Sequence, residues 1–365
     1  MKNKDFLNIQ RILIMKFLHI GDVLLITPTI RALHEFFPKA ELVVLVNQGT
    51  EEMLQGNPLI NEIMVYHRRK GCGPVERLKT EIDLLKRIRN NPFDLTVDLT
   101  GGDRPAFLGF LSGARIRVGP HPEGKGMLGK KWLYTHAGVK RNHTQHMVEQ
   151  NLDIVRQIGI QPSKLNLEFF LSNEEEKFAL DFFDGNGVRK EDLKIHVHPT
   201  SRWLFKCWRD DYFADLINRL VAEFQAQVVL TCSPDPKELA KVKKITDRVH
   251  EKTLNLIGRI TLRELASISK ASDLFIGVDS APMHLAAAVG TPTIALFGPT
   301  GDYNWHPWCV THKVLKRNEG CVSTGPQGCT VTKRCFCLEK ITGNEVLDAV
   351  RGIFSNQSPS FSKKF

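Results

Sequence analysis

Two short apolar runs late in the chain constrain its fold more than any other feature. Phe275–Val278 runs into Asp279-Ser280, a helix-compatible segment opens at Pro282, and Thr293–Phe297 runs into Gly298-Pro299-Thr300. Short apolar runs bounded by turn residues read as buried strands, and proline in a first turn reads as a helix start. Strand, polar turn, helix, strand, polar turn is the sequence of a parallel pair joined by a crossover helix. Both polar turns then share one sheet edge with a helix N-terminus, whose free N–H groups and positive dipole end suit a pyrophosphate. A nucleotide-activated substrate is expected.

The same alternation runs along the whole chain. Arg11–Phe17, Leu42–Val46, Glu62–Tyr66, Asp94–Leu99 and Arg115–Val118 read as strands, with helices over Val23–Phe36, Thr50–Gln55, Val75–Asn90, Pro105–Leu111 and His143–Ile158. A second series has strands at Lys194–His198, Gln227–Thr231, Thr253–Leu256, Leu274–Val278 and Thr293–Phe297. Its helices are Asp210–Phe224, Lys237–Val249, Leu262–Lys270 and Pro282–Val289. Repeated βα alternation of this kind predicts an α/β protein of two Rossmann-like parallel-sheet domains. The first would span 1–171, a polar linker 172–192 that opens on a short helix with an acidic first turn and breaks at Gly185-Asn186-Gly187, the second 193–340, and a terminal helix (about Asn344–Phe354) with a disordered Ser/Lys-rich tail 341–365.

No apolar run approaches the roughly 20 residues that span a bilayer, and the polar Met1–Asp5 leads straight into a strand, so a cytoplasmic protein is expected. The net charge of +10 reads either as a solvated basic surface or as the mark of an acidic partner: nucleic acid, an anionic membrane or an acidic substrate. No zinc-finger spacing, RNP-like sequence or Arg-rich helix is present, which speaks against nucleic acid. Cys321, Cys329, Cys335 and Cys337 are spaced C-x7-C-x5-C-x-C, unlike the paired knuckles of a zinc ribbon, and read as free thiols in a surface loop. A metal-dependent regulator built on them would hold zinc or iron.

Ligands of open α/β sheets bind outside the carboxyl ends of the strands, which shortens the list of candidates. In the first half Asp22 lies in the first βα turn, as a helix N-cap or as a general base. Arg104 follows Gly101-Gly102 at a later strand end, and His67–Lys70, including Arg69, adds a basic loop for an acidic acceptor. In the second half His198-Pro199-Thr200-Ser201-Arg202 and Lys206 bring hydroxyls and cations to the edge, suited to a departing diphosphate. Glu238 is placed either to bridge ribose hydroxyls or, with Asp235, to complement the dipole of the helix it starts, and the loop at Gly258 to line an adenine pocket. His284 is either a structural residue bonded to a neighbouring loop or, facing Asp279 across the turn, a group placed to orient that carboxylate. The absence of a D-x-D pair favours metal-free catalysis, and the absence of G-x-G-x-x-G speaks against a nicotinamide oxidoreductase.

From about Arg11 to Ile353 the chain resembles the family 9 inverting glycosyltransferases, whose best-known members are lipopolysaccharide core heptosyltransferases. The marks are K-x-x-x-x-G-D-V (Lys16, Gly21, Asp22, Val23), Thr27-Pro28, D-x-x-G at Asp98–Gly101, H-P-T-S-R at His198–Arg202 and K-x-W at Lys206–Trp208. G-V-D-S-x-x-M-H at Gly277–His284 and F-G-P-T at Phe297–Thr300 are the most specific. Within the family, the His19–Ile30 opening and the late cysteines resemble the heptosyltransferase III group. The resemblance implies a GT-B fold whose halves face a cleft: an acceptor half and a half holding ADP-heptose, without a metal cofactor. It implies Asp22 as base, with Lys206 as the second catalytic group and Thr200 and Ser201 on the diphosphate. Glu238 would hold the ribose, and Asp279 and Ser280 would lie near sugar and phosphate.

Arg202, Gly258, Ala281, His284, Gly298, Pro299 and Thr300 complete the expected donor set, and Lys16, Arg69 and Arg104 the acceptor set. Ala281 stands where the family has glycine, and a left-handed backbone there would be costly for alanine. The implied acceptor is the core oligosaccharide on lipid A, met by a monomeric, peripheral enzyme at the inner face of the cytoplasmic membrane. Two rivals stand beside this reading: transfer of another nucleotide sugar, and non-catalytic binding of a nucleotide sugar or polyanion.

Overall fold

The computed structural model describes residues 6, 8–67, 73–122, 126–138, 142, 144–298, 300–317, 324–325, 328–329 and 336–355. The chain forms two compact units, residues 1–170 and 171–365.

In the first unit β1 (Arg11–Lys16), β2 (Glu41–Asn47), β3 (Glu62–Tyr66), β4 (Leu95–Asp98), β5 (Ile116–Gly119) and β6 (His136–Ala137) form a sheet in the order β3-β2-β1-β4-β5-β6. Every pair is parallel. The near-continuous apolar runs of β1 and β2 follow from this, because crossover helices bury both faces of a parallel sheet. The crossovers are α1 (Ile20–Leu24), α2 (Thr27–Phe36), α3 (Pro74–Asn90), α4 (Asp103–Leu111) and α5 (Met147–Arg156). The single helix expected over 23–36 is therefore two. Pro28, in the first turn of α2, lacks an N–H and cannot continue the α1 ladder, so the chain turns at Leu25-Ile26 and restarts. The helix expected over Thr50–Gln55 is a 3-10 turn, Glu51–Met53.

In the second unit β7 (Lys194–His198), β8 (Gln227–Leu230), β9 (Leu254–Asn255), β10 (Leu274–Val278), β11 (Thr293–Phe297) and β12 (His312–Lys316) form another parallel sheet, in the order β12-β11-β10-β7-β8-β9. The helices are α6 (Asn173–Gly185), α7 (Asp210–Phe224), α8 (Pro236–Thr246), α9 (Leu262–Lys270), α10 (Ala281–Ala288), α11 (Asp302–Trp305), α12 (Phe336–Glu339) and α13 (Gly343–Ser355). The stretch 172–192 thus contains a helix. Ser172 and Glu175 cap α6 reciprocally, and Arg263 of α9 pairs with Glu175, so α6 packs within this unit. Alternate residues Ile195, Val197, Ile276 and Val278 pack on α7 and α13, while Phe275, Ala295 and Phe297 pack on α10 from the other face. Trp208, fully buried, donates Nε1 to Ile341 O at 3.0 Å and ties the start of α7 to the approach of α13.

Counted from each unit's first strand, both sheets have the order 3-2-1-4-5-6, the dinucleotide-binding arrangement. Its crevice opens where the order reverses, between β1 and β4 in one unit and β7 and β10 in the other. The loops at those places carry Asp22 and Gly101 in the first unit, and Thr200–Lys206 and Asp279–Ala281 in the second.

Gly277 sits at the second reversal. A Cβ there would stand 2.7 Å from the Phe275 ring and 3.0 Å from His198 O, so β7 and β10 approach as they do only with glycine. Gly277→Ala is expected to cost about 1–3 kcal/mol through overpacking, read as a lowered denaturation midpoint at unchanged m-value.

Candidate functional site

The best-defined cluster lies at the reversal of the second sheet. Lys206 closes a short 3-10 turn after β7, and Asp279 follows β10 directly. Lys206 Nζ donates to Asp279 Oδ2 at 2.7 Å, and Thr300 Oγ1 donates to the same oxygen at 2.6 Å. The pair is largely withdrawn from water, the side chains being 19% and 7% exposed. An ammonium has three N–H donors, so Lys206 keeps donors for an anion while Asp279 fixes its position. Thr200 is fully buried and its Oγ1 has no hydrogen-bond partner. An orphaned hydroxyl at a strand's carboxyl end is the state expected of a group whose partner is a ligand. Ser201 is buried, its Oγ accepting from Trp203 N at 3.3 Å, and Arg202 is exposed with its guanidinium 5.8 Å from the Trp203 ring.

α10 begins at Ala281, with extended Ser280 as N-cap. Ser280 Oγ donates to Val278 O at 3.2 Å and caps no helix N–H. Ala281 is not among the described non-glycine residues with positive φ, so the family's glycine position is helical here and alanine fits without strain. His284 does not make the contact expected of it: Asp279 is oriented by Lys206 and Thr300, and His284 Nδ1 is buried with no partner. Burial pushes the His284 imidazole down to about 4, outweighing the charge of Asp279. Gly298 is buried at the end of β11, while Pro299 lies outside the described residues.

A second group forms along the same edge. Asp235 caps α8 through Lys237 N (2.8 Å), and Glu238, in its first turn, accepts from Ser233 Oγ at 2.6 Å. Glu238 is 5% exposed. Gly258, with φ +65°, donates its N–H to Cys232 O at 3.1 Å, and a Cβ there would meet Leu239 at 2.9 Å. The loops after β8 and β9 therefore touch, and glycine is required for it. Behind them Ser269, His196, Thr231 and His198 form a buried chain of contacts at 2.8, 2.7 and 2.8 Å.

In the first unit Asp22 is not an N-cap. His19 caps α1, and Asp22, one turn in and half-buried, accepts from His19 N at 3.2 Å through Oδ2. Its Oδ1 has no partner among the described residues. Lys16 cannot serve as the acceptor contact expected of it. It is fully buried, donating to Leu99 O at 2.8 Å and Asn151 Oδ1 at 3.0 Å, and Asn151 Nδ2 reaches Leu25 O at 3.3 Å. Its charge thus ties the loop after β4 to the end of α1. Asp98 lies beside it, accepting from Thr100 N, Gly101 N and Tyr134 Oη at 2.7, 2.9 and 2.5 Å. Burial raises the Asp98 carboxyl against the pull of those hydrogen bonds. Arg104 is partly exposed, stacked 4.3 Å from the Tyr66 ring and paired to Glu81 at 2.6 Å. Arg69 lies outside the described residues. Tyr134, Asn151 and Ser233 carried no signal beforehand, because their partners are fixed only by the fold.

The model of "Glycosyltransferase family 9 (heptosyltransferase)" matches residues 82–334. Lipopolysaccharide heptosyltransferase 3 of Escherichia coli K12 is 32% identical over 345 residues, 93% of this chain and 97% of that protein. The chain belongs to glycosyltransferase family 9. Two solved structures agree in fold. A family 9 glycosyl transferase from Veillonella parvula has TM-score 0.81 at 21% identity, covering 95% of this chain and 98% of its own. E. coli ADP-heptose lps heptosyltransferase II has TM-score 0.75 at 21% identity, covering 95% and 99%.

For this family 9 enzyme, no group of three or more His, Cys, Asp or Glu residues is poised for a metal among the described residues. Of the four late cysteines, Cys337 belongs to α12 and is buried in the core rather than displayed on a loop, because that helix packs on β11. Cys321 and Cys335 lie outside the described residues. Burial pushes the Cys207 thiol up to about 11 and the Cys232 thiol up to about 12, so neither is a thiolate nucleophile at neutral pH.

Three histidines of this unit are held neutral by burial: His284 down to about 4, His198 to about 3, and His196 well below its ordinary 6.5. Between those values and 6.5 the unfolded chain binds more protons than the folded one, so stability rises with pH through that window. Acidification from pH 7 to pH 4.5 is expected to lower the urea midpoint progressively, and His284→Gln to flatten the dependence. A midpoint unchanged over this range contradicts the burial argument.

Proposed function

We propose that the enzyme transfers a heptose, with inversion at the anomeric carbon, from ADP-heptose to the inner-core oligosaccharide of lipopolysaccharide, in the manner of heptosyltransferase 3. The observation that carries the reading is the Lys206–Asp279–Thr300 cluster at the reversal of the second sheet, beside the unpartnered Thr200 hydroxyl. The name of E. coli heptosyltransferase II supplies the donor, and that of heptosyltransferase 3 the class of acceptor.

In this reaction Asp22 takes the proton of an acceptor hydroxyl through its open Oδ1. The hydroxyl oxygen bonds to the anomeric carbon as the bond from that carbon to the β-phosphate oxygen breaks. The electron pair leaves with ADP, whose new charge falls to Lys206, the Thr200 and Ser201 hydroxyls and the start of α10. Glu238 and the loop at Gly258 take the nucleoside, and Arg202, Ser280, His284, Gly298 and Thr300 line the donor site. Arg104 meets the acidic acceptor. Transfer without hydrolysis requires the donor's anomeric carbon and Asp22 to meet with water excluded. The enzyme works at the inner face of the cytoplasmic membrane, where its acceptor is anchored. Among the described residues no helix is long and apolar enough to cross a membrane, consistent with attachment at the surface.

Asp22→Asn is expected to lower kcat at least 100-fold while ADP-heptose still raises the melting temperature as in the parent. Loss of binding together with turnover would make Asp22 a structural residue. Lys206→Met is expected to lower kcat/KM about 100-fold or more. A thermal-shift panel of ADP-, UDP- and GDP-sugars tests the donor, with stabilisation by ADP-heptose expected to be largest.

A further inference from the structure

We propose that the first unit carries its own bilayer-docking surface, formed by one face of α3 and the Met127–Trp132 turn, and that its partner is an anionic phospholipid bilayer. On α3, Val75, Leu78 and Ile82 are 80%, 61% and 41% exposed. Their spacing of three and four residues puts them on one face, and Lys79 and Lys86, each four residues beyond Val75 and Ile82, border it. The opposite face, with Leu84 and Ile88, is buried in the unit's core. An apolar stripe facing water and edged with lysines is the pattern of a helix lying in a membrane interface.

The second element repeats the composition on a turn. Leu128 is 96% and Trp132 75% exposed, and Lys131 Nζ lies 4.9 Å from the Trp132 ring. The start of α4 holds the two elements together. Asp103 accepts from Met127 N at 3.2 Å and pairs with Lys130 at 3.1 Å, while Arg104 pairs with Glu81 of α3 at 2.6 Å. Phe107 and Phe110 of α4 are exposed as well, Phe110 with the Arg117 guanidinium 5.5 Å from its ring.

Charge selects the occupant. Lys79, Lys86 and Lys131 edge the apolar surface of a chain of net charge +10, which suits anionic headgroups, with lysine stems lying along the acyl boundary and the indole at the interface. The surface also adjoins the carboxyl edge of β4, the edge that bears Asp22. The choice of a bilayer rests in part on the proposed acceptor being lipid-borne.

The test uses the full chain and vesicles of phosphatidylglycerol and phosphatidylethanolamine containing no lipopolysaccharide. Parent protein is expected to co-sediment with them, and the double variant Leu78→Glu/Leu128→Glu to lose at least tenfold in partitioning. Its melting temperature and its turnover of a deacylated, water-soluble acceptor should match the parent. Trp132→Phe should still bind but lose the fluorescence quenching given by brominated acyl chains. Failure of the parent to bind, unchanged binding by the double variant, or a parent dimer that the double variant dissolves would each overturn the proposal, the last by making a second copy the partner. Vesicle binding without heptosyl transfer would leave the docking surface standing and remove the enzymatic reading instead.

Discussion

The contact that organises the carboxyl edge of the second unit's sheet is the ion pair between Lys206 and Asp279, closed across the point where the strand order reverses. Such a pair is a poor device for stability alone. Removing two charges from water costs several kcal/mol each, and apolar residues of similar volume do as well or better. What the pair achieves is placement. A lysine ammonium on four flexible carbons is pinned to one spot by Asp279. The carboxylate that would otherwise repel a diphosphate is covered on Oδ2 by both Lys206 and Thr300. The local field thus favours an anion although an acid stands at its centre, and the positive end of α10 adds in the same direction.

The first unit solves a parallel problem with the opposite exposure. At its own reversal the cation, Lys16, is wholly buried and spent on Leu99 O and Asn151, and the acid, Asp98, is spent on the turn that follows β4. Both fix backbone. The group left open is Asp22, braced on one oxygen by the N–H of His19 and free on the other. One reversal therefore holds a fixed cation and the other a fixed carboxylate with an open lone pair. In the proposed reaction the first would stabilise the leaving group and the second would remove the proton.

Much of this architecture was legible in the sequence because parallel strands, buried on both faces, write themselves as unbroken apolar runs: LVVLV in β2 and TIALF in β11 admit few other readings. Where the run is short the signal fails. β6 has two residues, and β12, at the sheet edge, reads HKVLK with lysines at both ends of its apolar pair. The break between α1 and α2 was written in Pro28 but concealed by continuous apolar periodicity on either side. Asp22, Lys206 and Asp279 stood out because their places at strand ends are local facts. The role of Lys16 did not, since its partner Asn151 lies 135 residues away, nor did that of Tyr134, 36 residues from Asp98. A sequence shows which groups reach an edge; it does not show which of them the fold has already paired.

The buried histidines show how such pairing carries direction. Ser269 Oγ donates to Leu265 O at 3.1 Å, so it accepts from His196 Nδ1–H. His196 Nε2, left without a proton in the neutral ring, accepts from Thr231 O–H, whose oxygen in turn takes His198 Nδ1–H. The polarity of the whole chain is thus set by one carbonyl of α9, and it leaves His198 Nε2 as a bare acceptor at the carboxyl end of β7, two residues before Thr200. A proton added at His196 Nε2 would set a donor against the Thr231 O–H in a medium of low dielectric, where that conflict is most costly. Desolvation keeps both rings neutral, and at His196 hydrogen-bond direction acts with it. The strand that leads to Thr200, Ser201 and Lys206 is paired on both sides by parallel neighbours, and the network adds side-chain ties to α9 and the end of β8.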